Sequence, residues 1–347
     1  MKKITLFLVF LFLLGTIFSS AAVLAQDEEL TFGYITPGPD TWYKRDVEGF
    51  QWACELLGVE TIVMNSQYDV GTEVSNIESM LAQGVDGMAI FSFNQQGAIT
   101  AADKANDENV PLVTVDNVGQ ALETEHDITA AIDFDWAGMG VNYAEYMAEN
   151  YPGDKIAIIA GLLSHRPVQV INEAMRNRVK ELGKNEIVTM REGAYDPSVA
   201  VNEVQDLIQS GVEFDILWVM NEDMAAAVIR YLDSQDLLDE YTVIAQNGSP
   251  VGIPLVRQGK LDYTISSSPG WEGMVSALAL YHRVIGNTDE INKQIMLPVI
   301  PVTQETINDK TKVVPWKADR VWIELTKEYF PELGQYLPEA DEAELPE

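Results

Sequence analysis

Positive charge is scarce in this 347-residue chain, with 22 Lys and Arg against 54 Asp and Glu and a net charge of −32. So acidic a surface repels phosphate backbones and anionic headgroups, which excludes nucleic acid and anionic lipid as partners. Cysteine is nearly missing as well. The single thiol, Cys54, cannot close an internal disulfide and falls on the buried side of a predicted helix. Histidine is limited to His126, His165 and His282, and there is no His-Glu-x-x-His, no P-loop and no Gly-x-Ser-x-Gly. The pair Gly138 and Gly140 lacks a third glycine and lies in a predicted helix, which is not a dinucleotide site. No Asp-x-Asp-x-Asp-Gly loop is present, so no calcium site is expected. Asp116 and Asn117 offer acid–base groups, but no nucleophile stands near them in sequence. The expectation is a protein without catalytic residues, metal or cofactor.

One long apolar run is present, at residues 4–17, preceded by Lys2 and Lys3 and followed by the small-residue stretch Val23-Leu24-Ala25. This run is short for a membrane span and its flanks fit a secretory signal, with cleavage expected near Ala25. No cysteine follows it, so no lipid anchor is expected. Removal of residues 1–25 takes away two lysines and no acid, moving the net charge from −32 to −34.

At 47% hydrophobic residues the remaining chain has apolar material for two cores. It repeats one unit. Residues 84–117 read as strand, helix, strand: a buried run at 88–91, an Ala-rich helix over 95–108 with Ala98, Ala101, Ala102 and Ala105 on one side, then a second buried run at 112–115. The same alternation predicts strands at 30–35 and 60–64 with helices at 41–57 and 71–82. The first helix should bury Val47, Phe50, Cys54 and Leu57. A second round starts near Ile128, with strands at 128–132, 155–160, 186–190, 214–220 and 241–246. Helices at 136–149, 167–182, 197–209 and 222–233 lie between them, and 250–258 (helix), 261–266 (strand) and 270–285 (helix) follow. Two-residue hairpin turns are missing, which argues for parallel sheets, and the number of units argues for two lobes. Residues 296–302 are extended, 317–330 a surface helix, and the acidic end a disordered tail.

Parallel α/β sheets bind ligands beyond the carboxyl ends of their strands. Here those ends carry Asp40, Trp42 and Tyr43; Ser92; Asp116 and Asn117; His165, Arg166 and Gln169; Tyr195; Asn221; Asn247; and Ser267. Each is also an ordinary cap, turn or packing residue taken alone. Together, amides, hydroxyls, a few carboxylates and flat rings suit a neutral polyhydroxylated ligand, whose hydroxyls exchange hydrogen bonds and whose C–H face lies on an aromatic ring. Trp218 lies inside a strand and is expected in the core.

The stretches PDTWYKRDVEGF (39–50), AYDPSVAVNEVQDLI (194–208), WVMNEDMAAAVIRYL (218–232) and IAQNGSPVGIPLVRQGKLDYTI (244–265), with the 84–117 unit, carry a resemblance. From about residue 30 to 302 the chain resembles the ribose/galactose-type periplasmic binding proteins, LacI-related type I receptors. That resemblance implies an α/β fold of two Rossmann-like lobes joined by a three-strand hinge and closing on a sugar. Residues 27–131 with 268–300 should form the first lobe and 132–267 with 301–330 the second, leaving 331–347 as the tail. Crossings should fall near Ala131, Ser268 and Pro301. By the same resemblance Trp42 and Tyr43 stack from the first lobe and Tyr195 from the second, while Asp40, Ser92, Asp116, Asn117, Gln169, Asn221, Asn247 and Ser267 hydrogen-bond the ligand. Aldose-binding relatives often carry Arg at the positions of Asn117 and Gln169, and Asp at that of Asn247. Amides there argue against ribose itself, with His165 and Arg166 taking over part of the role. The implied partners are a sugar or polyol and the membrane permease of an ABC importer, or a chemoreceptor or sensor kinase if the protein reports rather than delivers. A periplasmic monomer is expected. A DNA-binding repressor is excluded by the leader and the charge.

Overall fold

A computed structural model describes residues 29–346 except 93, 117–121, 123, 288–290 and 310. The leader (1–25) and Asn117 lie outside these.

The first lobe begins with β1 (Thr31–Thr36), α1 (Thr41–Leu57), β2 (Glu60–Asn65), α2 (Val70–Ala82), β3 (Gly87–Phe91), α3 (Gln95–Glu108), β4 (Leu112–Val115) and β5 (Ala130–Phe134). It is completed by α9 (Pro269–Val284) and β11 (Gln294–Leu297), which return late in the chain. Its parallel sheet has the order β11-β5-β4-β3-β1-β2. Central strands β3 and β4 are fully buried, as expected of strands covered by helices on both faces. Ala98, Ala101, Ala102 and Ala105 are buried on α3, in the predicted stripe.

The second lobe runs α4 (Trp136–Asn150), β6 (Lys155–Ala160), α5 (Arg166–Leu182), β7 (Glu186–Glu192), α6 (Pro197–Ser210), β8 (Ile216–Val219), α7 (Glu222–Ser234), β9 (Thr242–Ala245), α8 (Gly252–Arg257) and β10 (Thr264–Ser266). Its parallel sheet is β7-β6-β8-β9. Trp218 is fully buried within it, as expected. Strand β12 (Ile300–Val302) pairs antiparallel with β10, so two of the three chain crossings lie side by side.

Four expectations need correction. Strand β5 belongs to the first sheet, paired with β4 and β11, so the first crossing falls after Phe134 and not near Ala131. The buried face of α1 is rotated: Asp46, Gly49, Phe50, Trp52, Ala53 and Cys54 are buried, while Val47 and Leu57 are only half-buried. The reason is close helix packing. A Cβ on Gly49 would meet the Gly270 carbonyl at 1.8 Å, and one on Gly273 would meet the Asp46 carbonyl at 1.9 Å. Helices α1 and α9 therefore touch backbone to backbone, and Asp46 faces inward.

Residues 301–330 do not all join the second lobe. Helix α10 (Val321–Tyr329) buries Trp322, Ile323 and Leu325 on the first lobe, with Trp322 edge-on to Trp52 and Trp271 donating its indole N–H to Thr326 at 2.9 Å. The acidic tail is ordered against the same face. It includes α11 (Pro331–Gly334) and buries Leu333, Leu337 and Ala343, and the Glu344 carbonyl accepts from the Trp52 indole at 2.9 Å. Composition suggested disorder, but a few apolar residues spaced through the acidic stretch find a ready apolar surface.

Candidate functional site

Short polar residues at the strand ends do two jobs, and the structure separates them. Asn221 Oδ1 accepts from the Met224 N–H at 2.9 Å, capping α7, which leaves its NH₂ group for other partners. Asp196 caps α6 in the same way, and the cap positions Tyr195 one residue earlier. Ser92 is turned inward. Its hydroxyl donates to Glu73 or to the Asn94 carbonyl, with oxygens at 2.9 and 2.6 Å, so it braces the first lobe instead of facing the cleft. Asp40 is exposed and accepts from the Tyr68 hydroxyl. Gln169 is also exposed and donates to the Leu163 carbonyl at 2.9 Å, in a groove beside α5 and β7 that holds none of the other candidate residues. For Ser92 and Gln169 a nearby backbone or carboxylate oxygen bonds the polar group.

Tyr43, Asp116, His165, Arg166 and Tyr195 come together. Tyr43 stands edge-on to Phe91, with ring centroids 4.9 Å apart, and its hydroxyl feels the charge of Asp116. Tyr195, from the second lobe, is in electrostatic contact with both Asp116 and Tyr43. Burial, then the Asp116 carboxylate, pushes the Tyr195 hydroxyl well above its ordinary pKa, so it stays a neutral donor. The Tyr195 hydroxyl lies 2.9 Å from His165 Nδ1, which fixes the ring. Gly161 leaves space for that ring, since a Cβ there would come within 2.4 Å of it.

Backbone strain marks the same positions. Asp116, Tyr195 and Asn247 hold φ of 47°, 59° and 134°, in the region that favours glycine. Such conformations persist where surrounding structure over-determines them, and they gather at functional sites. Asn247 is held by backbone bonds on both sides, its N–H to Ile265 and its carbonyl from the Ser267 N–H at 2.8 Å. Ser267 is buried and accepts from the Gln246 amide at 3.2 Å. Beneath this loop, Glu222 accepts from the Gly248 and Ser249 N–H groups and the Thr264 hydroxyl at 2.9, 2.6 and 2.7 Å. Burial raises the Glu222 pKa to about 7.

The sequence reading missed Asp133. It lies at the end of β5, where the strand-end rule would have found it had the strand been extended by two residues. Fully buried, its carboxyl accepts from the Trp136 indole and from Arg166 Nη1, the latter at 2.9 Å. Asp133 also lies within electrostatic reach of Asp116. Burial and the Asp116 charge raise the Asp133 pKa, while Arg166 opposes the rise. Behind them Asp46, bonded to the Tyr34 hydroxyl, and Glu272 are buried and also shifted upward, first by burial.

Trp42 is wedged between Phe134 and Trp316, at centroid distances of 5.8 and 5.3 Å. It is half-buried and packs on both.

Comparison with known proteins decides the family. A model described as the periplasmic binding protein domain matches residues 32–288. The chain belongs to that family. The ribose import binding protein of Bacillus subtilis is 22% identical over 261 residues, covering 74% of this chain and 82% of that protein. A putative rhizopine-binding protein of Rhizobium meliloti is 21% identical over 267 residues, 74% of this chain and 84% of its own length. Among solved structures, an ABC transporter solute-binding protein of Bacillus halodurans with bound myo-inositol superposes with a TM-score of 0.73 at 20% identity, covering 81% of this chain and 96% of that one. The arabinose-transporter binding protein of Shewanella sp. ANA-3 gives a TM-score of 0.71 at 19% identity, over 80% and 93%. These likenesses fix the type I periplasmic binding fold.

Proposed function

We propose that this periplasmic binding protein captures a neutral sugar or sugar-like polyol between its lobes and delivers it to the membrane permease of an ABC importer. The observation that carries the neutral ligand is the pairing of Arg166 with the fully buried Asp133 at 2.9 Å. That guanidinium is already paired, so it leaves no surplus positive charge for a phosphate or carboxylate. Tyr43 and Tyr195 supply neutral hydroxyls and ring faces from opposite lobes, and Asn221 and Asn247 supply amides. Relatives named for ribose, xylose and xylitol support the class. The proposed working form is a monomer, exported with its leader removed near Ala25, and it carries out no catalytic step. Closure of the lobes presents a joint surface to the permease. The test is a thermal-shift screen of the purified chain against aldoses, polyols and sugar phosphates. A ligand that binds only the folded state raises the melting temperature. Neutral members should raise it and phosphorylated ones should not. A response confined to the phosphates would reject the reading.

A further inference from the structure

The segment after the third crossing, beyond residues 32–288 of the family match, sets a side chain against Trp42. Its course is pinned to the hinge. The Val314 N–H donates to Ser266 Oγ at 3.0 Å, and the Pro315 carbonyl accepts from both Ser268 Oγ at 2.6 Å and the Trp322 indole at 2.8 Å. Gly270 makes room for this docking, since a Cβ there would strike the Trp322 ring at 2.2 Å and the Trp316 carbonyl at 3.0 Å. The next residue, Trp316, meets Trp42 edge to face, with ring planes at 89°. Trp316 is 8% exposed, and its indole nitrogen is buried with no hydrogen-bond partner among the described residues. Buried indole N–H groups normally find an acceptor, and an unpaired one in a rigidly held side chain calls for an explanation.

We propose that Trp316 is a ligand-binding residue whose indole N–H donates to a hydroxyl or ring oxygen of the bound sugar or polyol. Its ring, set against Trp42, closes that end of the cleft. An indole is a donor only, so the ligand atom it meets must be an acceptor. This rests on the reading of the cleft as a sugar or polyol site, and it gives the C-terminal extension a part in specificity.

The test is calorimetry of the full chain and Trp316→Phe with D-ribose, D-xylose, xylitol and myo-inositol. The variant keeps a ring and loses the donor, so affinity for whichever probe binds should fall about three- to tenfold, the range for one neutral hydrogen bond. The melting temperature of the ligand-free variant should be unchanged. Equal affinity in variant and wild type overturns the role of Trp316 and leaves the proposed function standing. No binding of any probe by the wild type rejects both. A measurement independent of the variant is the indole N–H spectrum of the unmodified chain. Ligand should displace the Trp316 resonance, assigned through its contact with Trp42, and leave that of Trp218, which is also unpaired but lies in the second-lobe core. A Trp316 resonance that stays put counts against the proposal.

Discussion

Arg166 of the second lobe and Asp133 of the first are joined at 2.9 Å across the hinge, with the carboxylate fully buried and the guanidinium about one-quarter exposed. The pair ties the two lobes together, and each group offsets the other's charge. Removing Arg166 would leave Asp133 buried with the Trp136 indole and the Phe134 N–H as its donors.

Arg166→Met should therefore destabilise the protein by about 2–3 kcal/mol at pH 8, below the range for fully buried pairs because the guanidinium keeps some solvent. The loss should shrink at pH 5, where Asp133, whose pKa is raised, takes up a proton more readily. Denaturant melts at the two pH values measure both quantities. Equal losses would mean that Asp133 does not titrate in this interval.

Asp116 is buried at the end of β4 and is the proposed acceptor for ligand hydroxyls. Asp116→Asn should weaken binding by about 1.5–3 kcal/mol, or roughly tenfold to 150-fold. Affinity in the wild type should change little between low and high salt, since no ligand charge is neutralised. Calorimetry at two ionic strengths provides both readings. A steep salt dependence would indicate a charged ligand.

Trp42→Ala should cost about 1–2 kcal/mol of binding through the lost ring face. Its contacts with Phe134 and Trp316 add a second effect, so the ligand-free melting temperature should fall too. A drop in melting temperature with unaltered affinity would reduce Trp42 to a packing residue.

Four buried carboxyls, Asp46, Asp133, Glu222 and Glu272, have raised pKa values, in each case first through burial. Between the unfolded carboxyl range and the folded value, the native state holds protons that the unfolded chain has released, so stability falls as pH rises. For Glu222 the window runs from its ordinary value of 4.5 to about 7. Its contribution is about 1.4 kcal/mol per pH unit across that interval. The melting temperature should decline from pH 5 towards pH 7. Glu222→Gln should flatten the decline, at the cost of loosening the loop at Asn247. A melting profile that rises over the same interval would contradict the assignment.

The sequence by itself determined the repeating α/β units and most of their boundaries. Periods of two and 3.6 residues reflect contacts within a few positions, so the Ala98–Ala105 stripe and the cap at Asn221 were legible without a partner in view. Strand-end polarity likewise pointed to Tyr43, Asp116, Tyr195 and Asn247. It could not say that Ser92 would turn inward to Glu73 or that Gln169 would face away, because a polar side chain bonds whichever acceptor the fold brings nearest. Tertiary structure alone decided that Asp46 and Glu272 are buried, since backbone contact between α1 and α9 at Gly49 and Gly273 sets the rotation of both helices. It also decided where the acidic tail lies and brought Trp316 against Trp42. Those two residues are far apart in the chain, and local periodicity carries no information about which distant surface an apolar residue will cover.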